Sequence, residues 1–346
     1  MASFELKKAS RHSIWMQFAF VGPSGSGKTL GALRFAAGLV PGGKIAVIDT
    51  ERGRASMHAD SKTLLAELPQ GFDVLELDAP YHPSRFVEAI EHVARAGYSV
   101  CLVDSTSDSW EGVGGCSDIA EAAKGAWNGA KKFNRRMMNT GFTSSMHMIW
   151  CFKAQNKVEM IDKRKSDTGK TEYIPLGMQP VCEKNAMYQM TVSLMVDHGT
   201  HQARLIKAST EDLQSMFENP HLITAADGAR VRQWNEGGKA AIPGDQIKRR
   251  ARMAAADGME SYKAAWAAFS PVEKKLIGDD EHNANKVAAL AADAAPDEDE
   301  PKPDSPPEHF EGTDPAKYQG AATRIQAADG AIWSTEDGGL TWQKAS

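Results

Sequence analysis

No apolar run in this chain is long enough to cross a membrane. A membrane-spanning helix needs about 20 mostly apolar residues, and no segment of the 346-residue sequence approaches that length. The first segment, MASFELKKASRHS, also lacks the apolar centre of a secretory signal. We therefore expect a soluble cytoplasmic protein with no membrane partner.

Cysteine is also scarce, because the chain has only four. They lie far apart and form no Cys-x-x-Cys pair. Their positions are Cys101, Cys116, Cys151 and Cys182. This spacing favours buried, reduced thiols over a metal or redox site.

Neither sign of charge dominates the composition. The chain has 40 Lys and Arg against 45 Asp and Glu, a formal net charge of −5. Bulk charge therefore gives no indication of a nucleic-acid partner. A local basic patch remains compatible with this balance.

Short apolar runs alternate with helix-patterned segments from about 14 to about 210. The runs predicted as strands are 14–22, 44–50, 72–78, 98–105, 146–154, 190–197 and 202–209. The segments predicted as helices are 28–39, 84–96 and 117–139. This alternation predicts an α/β fold with a mostly parallel sheet between helices. The last two strands follow each other closely and predict an antiparallel hairpin at the sheet edge.

Composition divides the chain into four parts. A core over 1–235 is followed by an alanine-rich module of two or three short helices over 244–292, where Ser270 is the predicted cap of one helix. An acidic, proline-rich linker over 293–317 is predicted to be disordered. The tail, 318–346, carries an Asp-Gly-Gly turn signal between two tryptophans, which predicts a short β-hairpin.

The strongest motif follows the first predicted strand. It has the pattern Gly-x-x-x-x-Gly-Lys-Ser/Thr and stands between a strand and a helix. Its residues are Gly22, Pro23, Ser24, Gly25, Ser26, Gly27, Lys28 and Thr29, and Leu30 continues the helix. Backbone N–H groups of such a loop surround phosphate oxygens, and the helix N-terminus attracts the anion. The motif predicts a nucleoside triphosphate, with Lys28 on the outer phosphates and Thr29 on Mg²⁺.

Two acids end neighbouring strands of the predicted sheet. Asp104 closes the apolar run 98–105, and in that position it would hold Mg²⁺ through its water shell. An aspartate that only caps the strand is the alternative. Glu51 follows the strand after the loop, on the rim where parallel sheets bind ligands. We predict that Glu51 positions the attacking water. The alternatives are an ion pair of Glu51 with Arg52 or Arg54, and a role of those arginines towards a neighbouring subunit.

The sequence also resembles a known family. A glutamate after the second strand, with a later strand that ends in Asp-Ser, resembles the RecA-type ATPases. The segments VIDTERGRASMHAD, FDVLELDAPYHPSRFVEAIEHV and CLVDSTSDSWEGVGGCSDIAE are similar to phage-encoded AAA-family ATP-binding proteins of recombination modules. The resemblance covers about 14 to 210. A histidine that many members carry before Trp110 is absent here, so its role is not carried over.

The resemblance implies a RecA-like P-loop core that hydrolyses ATP with Mg²⁺ as a ring or filament of identical subunits. Glu51 matches the catalytic glutamate of the family and Asp104 the Mg²⁺ acid. Lys153 or Gln155 lies where a γ-phosphate sensor would be. Lys207 is placed as a cation that reaches the next subunit's nucleotide. The host cytoplasm is the implied location.

A polar, basic segment over 153–173 has no periodicity and is predicted to be a loop. Loops on this rim of RecA-like proteins touch single-stranded DNA, and cations would neutralise its phosphates. The cations of the segment are Lys157, Lys163, Arg164, Lys165 and Lys170. A solvated surface loop is the alternative. Further basic patches lie at 131–136, beside aromatic residues expected in the core, and at 248–252.

Three functions stay open at this point. The favoured one is a RecA-like ATPase on single-stranded DNA in recombination, annealing or replication. A P-loop phosphotransferase would need a lid that clamps a second substrate, and no strong lid motif is visible. A nucleotide-gated binding module would hydrolyse ATP very slowly. The C-terminal region could recruit a single-strand-binding or recombination protein.

Overall fold

The computed structural model describes residues 11–161, 171–237 and 243–294, together with three short strands between 323 and 344. One mixed sheet organises the core. Its strands are β1 (Gln17–Gly22), β2 (Ile45–Asp49), β3 (Asp73–Glu76), β4 (Val100–Asp104), β5 (His147–Ile161), β6 (Glu172–Pro180), β7 (Val192–Val196) and β8 (Ala203–Ala208).

The strand order is β3-β2-β4-β5-β1-β7-β8, and β6 pairs with β5 outside this path. Every adjacent pair from β3 to β7 is parallel, whereas β8 is antiparallel to β7 at the edge. The predicted α/β fold and its edge hairpin are therefore confirmed. The order also places β5 between β1, which leads into the glycine loop, and β4, which ends in Asp104.

Helices cover both faces of the sheet. They are α1 (Lys28–Leu39), α2 (Lys62–Glu67), α3 (Pro83–Arg95), α4 (Asp108–Glu111), α5 (Cys116–Ala122), α6 (Asn128–Thr143), α7 (Ala186–Gln189), α8 (Glu211–Met216) and α9 (Ala225–Glu236). A 3₁₀ helix spans Ala55–His58. Each face of the sheet has its own hydrophobic core, because successive side chains of β1 point to opposite faces. Phe18 and Phe20 pack towards α1, whereas Ala19 and Val21 pack towards α3 and α6.

The single helix predicted over 117–139 is wrong. The structure has two helices, α5 and α6, with Lys124 at φ 55° and Gly125 at φ 88° between them. Two successive left-handed residues end an α-helix. Trp127 and Phe133 were expected in the core, and both are more than a third exposed. Trp127 stacks on Trp110 with a centroid distance of 5.3 Å.

Helices α1 and α9 cross at a very short distance. An ideal Cβ on Gly38 would lie 1.7 Å from the carbonyl oxygen of Ala225, and one on Gly228 would lie 2.0 Å from that of Phe35. Only glycine permits backbones to approach this closely. The crossing fixes α1, whose N-terminus carries Lys28.

The helical module contains four helices rather than two or three. They are α10 (Pro243–Ala256), α11 (Met259–Ala268), α12 (Pro271–Ile277) and α13 (Asp279–Ala294). Ser270 and Glu273 form the capping box at α12, as predicted. Tyr262, Phe269 and Ile277 are buried in the small core of the module.

Polar contacts hold the module against α6 and the residues that follow it. Asn139 donates to both carboxylate oxygens of Asp257, at 2.9 and 3.0 Å. Arg250, which packs 4.1 Å from the Phe269 ring centroid, donates to Ser145. The predicted basic patch at 248–252 is thus partly used inside the chain, because Arg252 also pairs with Glu281.

Three short strands form a separate antiparallel sheet in the tail: β9 (Thr323–Gln326), β10 (Ile332–Thr335) and β11 (Gln343–Lys344), with β10 in the middle. The Asp-Gly-Gly turn between β10 and β11, and nearly all of the predicted linker, lie outside the described residues. Within the described ranges, no helix has the length and apolar character that a membrane span requires.

Candidate nucleotide-binding site

The glycine loop has the backbone shape that a phosphate needs. It runs from the end of β1 at Gly22 to the start of α1 at Lys28, with Gly25 at φ 79° and Gly27 at φ 85°. At Gly22 an added Cβ would lie 2.4 Å from Ser26 Oγ and 2.8 Å from the carbonyl oxygen of Val196. The spacing of glycines in the motif is therefore explained by left-handed turns and close packing. Lys28 is only 4% exposed.

Thr29 and Asp104 meet below the loop. Thr29 Oγ1 donates to Asp104 Oδ2 at 2.5 Å. Asp104 Oδ1 is buried and has no hydrogen-bond partner among the described residues, and the same is true of Ser26 Oγ. Unpartnered buried polar atoms are rare and call for a ligand or water. A hydroxyl and a carboxylate are hard oxygen ligands, so this pair fits Mg²⁺.

The acids of two strands converge here as predicted. Asp49 and Asp104 are register partners at the ends of β2 and β4. Burial raises the pKa of Asp104 to about 6, the charge of Lys28 opposes this rise, and the charges of Glu51 and Asp49 add to it. Charges affect the pKa of a carboxyl group in this way only over short distances. Glu51 and Asp104 therefore lie on the same rim of the sheet as Lys28.

Asp49 shapes the turn that presents Glu51. Its Oδ1 accepts from the Glu51 N–H at 2.6 Å, and its Oδ2 accepts from the Ala55 N–H at 3.1 Å. Arg52 at φ 60° and Gly53 at φ 80° complete the turn. The Glu51 side chain is 11% exposed, with Arg54 Nη1 3.3 Å from Oε2. The ion pair that we considered as the alternative thus exists, with Arg54 as partner.

The two sensor candidates have different surroundings. Lys153 is the register partner of Gly22, so it lies beside the start of the loop. Its Nζ donates to Asp108 Oδ1 at 2.6 Å, and Thr50 donates to the other oxygen of that carboxylate. Gln155 lies two residues further along β5, exposed and paired with Gln179. A sensor role for either residue stays a prediction.

Lys207 lies away from the glycine loop of its own chain, and its predicted contact with the next subunit's nucleotide stays a prediction. Strand β8 is antiparallel, and Lys207 pairs with Ser193 at the start of β7, towards the rim opposite the glycine loop. Its Nζ donates to the carbonyl oxygen of Met190 and to Ser209 Oγ. Burial lowers the pKa of Lys207. The strand direction explains this position, because an antiparallel edge strand returns its end to the far rim.

The predicted loop over 153–173 is mostly a β-ribbon. Strand β5 continues past the sheet to Ile161 and pairs with β6, with a register shift after Lys157. Lys157 Nζ donates to the carbonyl oxygen of Pro180 at 3.5 Å. The other four cations of the predicted DNA segment, Lys163, Arg164, Lys165 and Lys170, lie outside the described residues.

The turn of the edge hairpin touches the glycine loop, a contact that was not predicted. Between β7 and β8, Asp197 Oδ1 accepts from the N–H groups of Gly199 and Thr200. This turn brings His201 Nδ1 to 2.9 Å from the carbonyl oxygen of Ser26. His198 lies 3.4 Å from an ideal Cβ on Gly25. The Asp-His-Gly-Thr-His segment indicates a tight turn, but nothing local shows that it meets the loop.

A scan against protein-family models and a search of curated proteins both find no match. Among solved structures, the chain is similar to a prototypical ATPase from the type III secretion system of pathogenic bacteria, with 12% identity and a TM-score of 0.32. The match covers 80% of this chain and 73% of that one. A similarity at this level adds no argument. The structure itself shows an α/β fold, with a mostly parallel sheet and a glycine loop between β1 and α1.

We expect Asp104→Asn to stabilise the metal-free protein while it abolishes magnesium-dependent turnover. The folded pKa of about 6 lies above the ordinary 3.8. The aspartate therefore favours folding below about pH 4, and that contribution is lost as the pH rises through about 6. At pH 8 without metal, the variant should gain about 1–3 kcal/mol of unfolding free energy. The measurement is denaturant unfolding in EDTA from pH 4 to 8. Asp60→Asn, at an exposed aspartate, is the control and should leave the unfolding free energy unchanged. An Asp104→Asn variant that is less stable than wild type at pH 8 would contradict the prediction.

Proposed function

We propose that the chain is a magnesium-dependent ATPase that acts on single-stranded DNA as a homo-oligomer, in phage recombination, annealing or replication. One observation carries the hydrolytic part: Lys28, Thr29, Asp104 and Glu51 meet at one rim of the sheet. A phosphate-binding loop, a metal pair and a nearby carboxylate are the parts that ATP hydrolysis needs.

Each residue has a distinct task in this proposal. Lys28 and the loop N–H groups hold the outer phosphates, and Thr29 and Asp104 hold Mg²⁺, which neutralises charge on the phosphate oxygens when bound. Glu51 orients the attacking water and accepts its proton. The water oxygen bonds to the γ-phosphorus while the bond to the bridging oxygen breaks. ADP leaves with that electron pair, and the proton passes to the released phosphate.

The β5–β6 ribbon supports the nucleic-acid part of the proposal. It extends beyond the sheet from Lys153, at the rim that carries the glycine loop. Several of its large apolar side chains are exposed: Val158, Met160, Tyr173, Ile174 and Leu176. An isolated two-stranded ribbon is marginally stable in water. Single-stranded DNA would supply bases to stack on Tyr173 and phosphates for the cations between the strands.

The deciding experiment is phosphate release from ATP and Mg²⁺, with and without single-stranded DNA. We expect turnover that rises when DNA is added. Transfer of phosphate to a nucleoside without a response to DNA would indicate a phosphotransferase. Tight nucleotide binding with hardly any turnover would indicate a nucleotide-gated binding module. A panel of other triphosphates in the same assay tests the preference for ATP.

Neutralising Lys163, Arg164 and Lys165 together should weaken binding to single-stranded DNA. Each lost phosphate contact removes about 0.7 from the slope of log affinity against log salt, so the slope should flatten by up to about 2 units. Fluorescence anisotropy across a salt series measures it. A matched control removes three exposed lysines of the helical module, Lys263, Lys275 and Lys286. An unchanged slope in the first variant would exclude this segment from DNA binding.

We also propose that the C-terminal region recruits a single-strand-binding or recombination protein. The acidic, proline-rich composition of 295–308 supports this, because such sequences are typical of segments that bind partner proteins. Removal of residues 295–346 should abolish co-elution with such a protein while ATP turnover persists.

A further inference from the structure

Arg54 connects the two parts of the site that must act together. Its Nη1 donates to Ser24 Oγ in the glycine loop at 3.2 Å and to Glu51 Oε2 at 3.3 Å. The guanidinium therefore stands between the phosphate-binding loop and the carboxylate that we assign to the attacking water. The sequence offered Arg54 as an ion-pair partner of Glu51 or as a cation directed at a neighbouring subunit, and it gave no indication of the contact with Ser24.

The backbone of Arg54 is held firmly while its side chain is not. Arg54 precedes the 3₁₀ helix Ala55–His58, and the Ala55 N–H donates to Asp49 Oδ2. Ala55 is buried. The Arg54 side chain, in contrast, is 59% exposed. The same carboxylate of Asp49 thus fixes the starting points of both Glu51 and Arg54.

Neither contact of Arg54 is strong. Charge-assisted hydrogen bonds are typically about 2.7–2.9 Å long, and both contacts here are longer. Exposed ion pairs contribute little because water screens them. A terminal phosphate carries more charge than a carboxylate and offers several oxygens to the planar guanidinium. It can therefore take Arg54 away from Glu51.

We propose that Arg54 binds the terminal phosphate of a triphosphate and that its departure from Glu51 makes this carboxylate available to the attacking water. Glu51 is then paired with Arg54 when a diphosphate is bound and released when a triphosphate is bound. The inference rests on the proposed ATPase function and adds a residue that distinguishes ATP from ADP.

The test compares Arg54→Ala with Arg52→Ala. Arg52 is an exposed arginine in the same turn, and in the described structure no hydrogen bond or ion pair joins its side chain to Ser24 or Glu51. Affinities for a non-hydrolysable ATP analogue and for ADP are measured by calorimetry, together with steady-state turnover. We expect Arg54→Ala to lose about tenfold or more in affinity for the analogue. Its affinity for ADP should stay within about twofold of wild type, and kcat should fall.

Arg54→Gln replaces the guanidinium by a shorter, neutral hydrogen-bond donor and provides a second variant if Arg54→Ala does not fold. It should also lose affinity for the analogue and not for ADP. Equal losses for both nucleotides, as a structural role would give, overturn the inference. Unchanged discrimination, or turnover that rises in Arg54→Ala, overturns it as well. If wild type binds both nucleotides without hydrolysis, the proposed ATPase function fails, and the affinity ratio still decides the role of Arg54.

Discussion

Glu51→Gln should bind ATP as well as wild type does and hydrolyse it at least about tenfold more slowly, which is a barrier increase of roughly 1.4 kcal/mol or more. Glutamine has the same shape and still accepts a hydrogen bond from Arg54, but it does not take a proton from water. The contact that places residue 51 uses its backbone N–H and Asp49, so the turn should survive the substitution. Binding by calorimetry and single-turnover phosphate release measure the two effects separately.

A suitable control is Glu76→Gln. Glu76 is the register partner of Asp49 and ends β3 on the same rim, where it is exposed. It carries the same charge and is not part of the proposed chemistry, so turnover should be unchanged. Full turnover in Glu51→Gln would remove this carboxylate from the mechanism. The P-loop and metal pair would then describe a nucleotide-binding module.

Gly38→Ala should destabilise the core by about 3 kcal/mol or more. An alanine Cβ at this position would lie 1.7 Å from the carbonyl oxygen of Ala225 and 2.6 Å from its carbon. Both are backbone atoms of α9, so no side chain can move aside and the helices must separate. Alanine ordinarily stabilises a helix by about 1 kcal/mol relative to glycine, and the cost of the steric overlap far exceeds that gain. Urea unfolding followed by circular dichroism gives the difference.

Gly228→Ala, on the facing helix α9, should destabilise the core by a similar amount. Its Cβ would lie 2.0 Å from the carbonyl oxygen of Phe35 in α1. Gly129→Ala is the matched control. Gly129 lies in α6, and no atom comes within 4 Å of its added Cβ. The Gly129→Ala variant should gain a few tenths to about 1 kcal/mol of unfolding free energy. Wild-type stability in Gly38→Ala would show that α1 and α9 do not cross at these glycines.

Much of the site could be predicted because its parts are local or share a strand direction. The loop from Gly22 to Thr29 is continuous in sequence, and its shape depends on glycines at fixed positions. Glu51 and Asp104 are distant in sequence, but both follow the C-terminal ends of parallel strands. Such ends lie on one rim whatever the order of the strands.

Other features of the site could not be predicted because they depend on which segments pair. The antiparallel strand β8 carries Lys207 towards the far rim, away from the glycine loop of its own chain. The ribbon was predicted to be a loop because polar and apolar residues do not alternate along it. Its two strands stabilise each other by pairing, which the sequence of neither strand shows. The contact of His201 with the loop depends on β7 being the neighbour of β1.

The sequence by itself determined the alternation of strands and helices, the phosphate loop and the rim on which its acids lie. Periodicity and turn chemistry act over a few residues, so they can be recognised along the chain. Only the tertiary structure decided that β5 separates β1 from β4, that Gly38 meets α9, and that Arg54 reaches Ser24. These contacts join residues that are distant in sequence, and packing of the whole core is what brings them together.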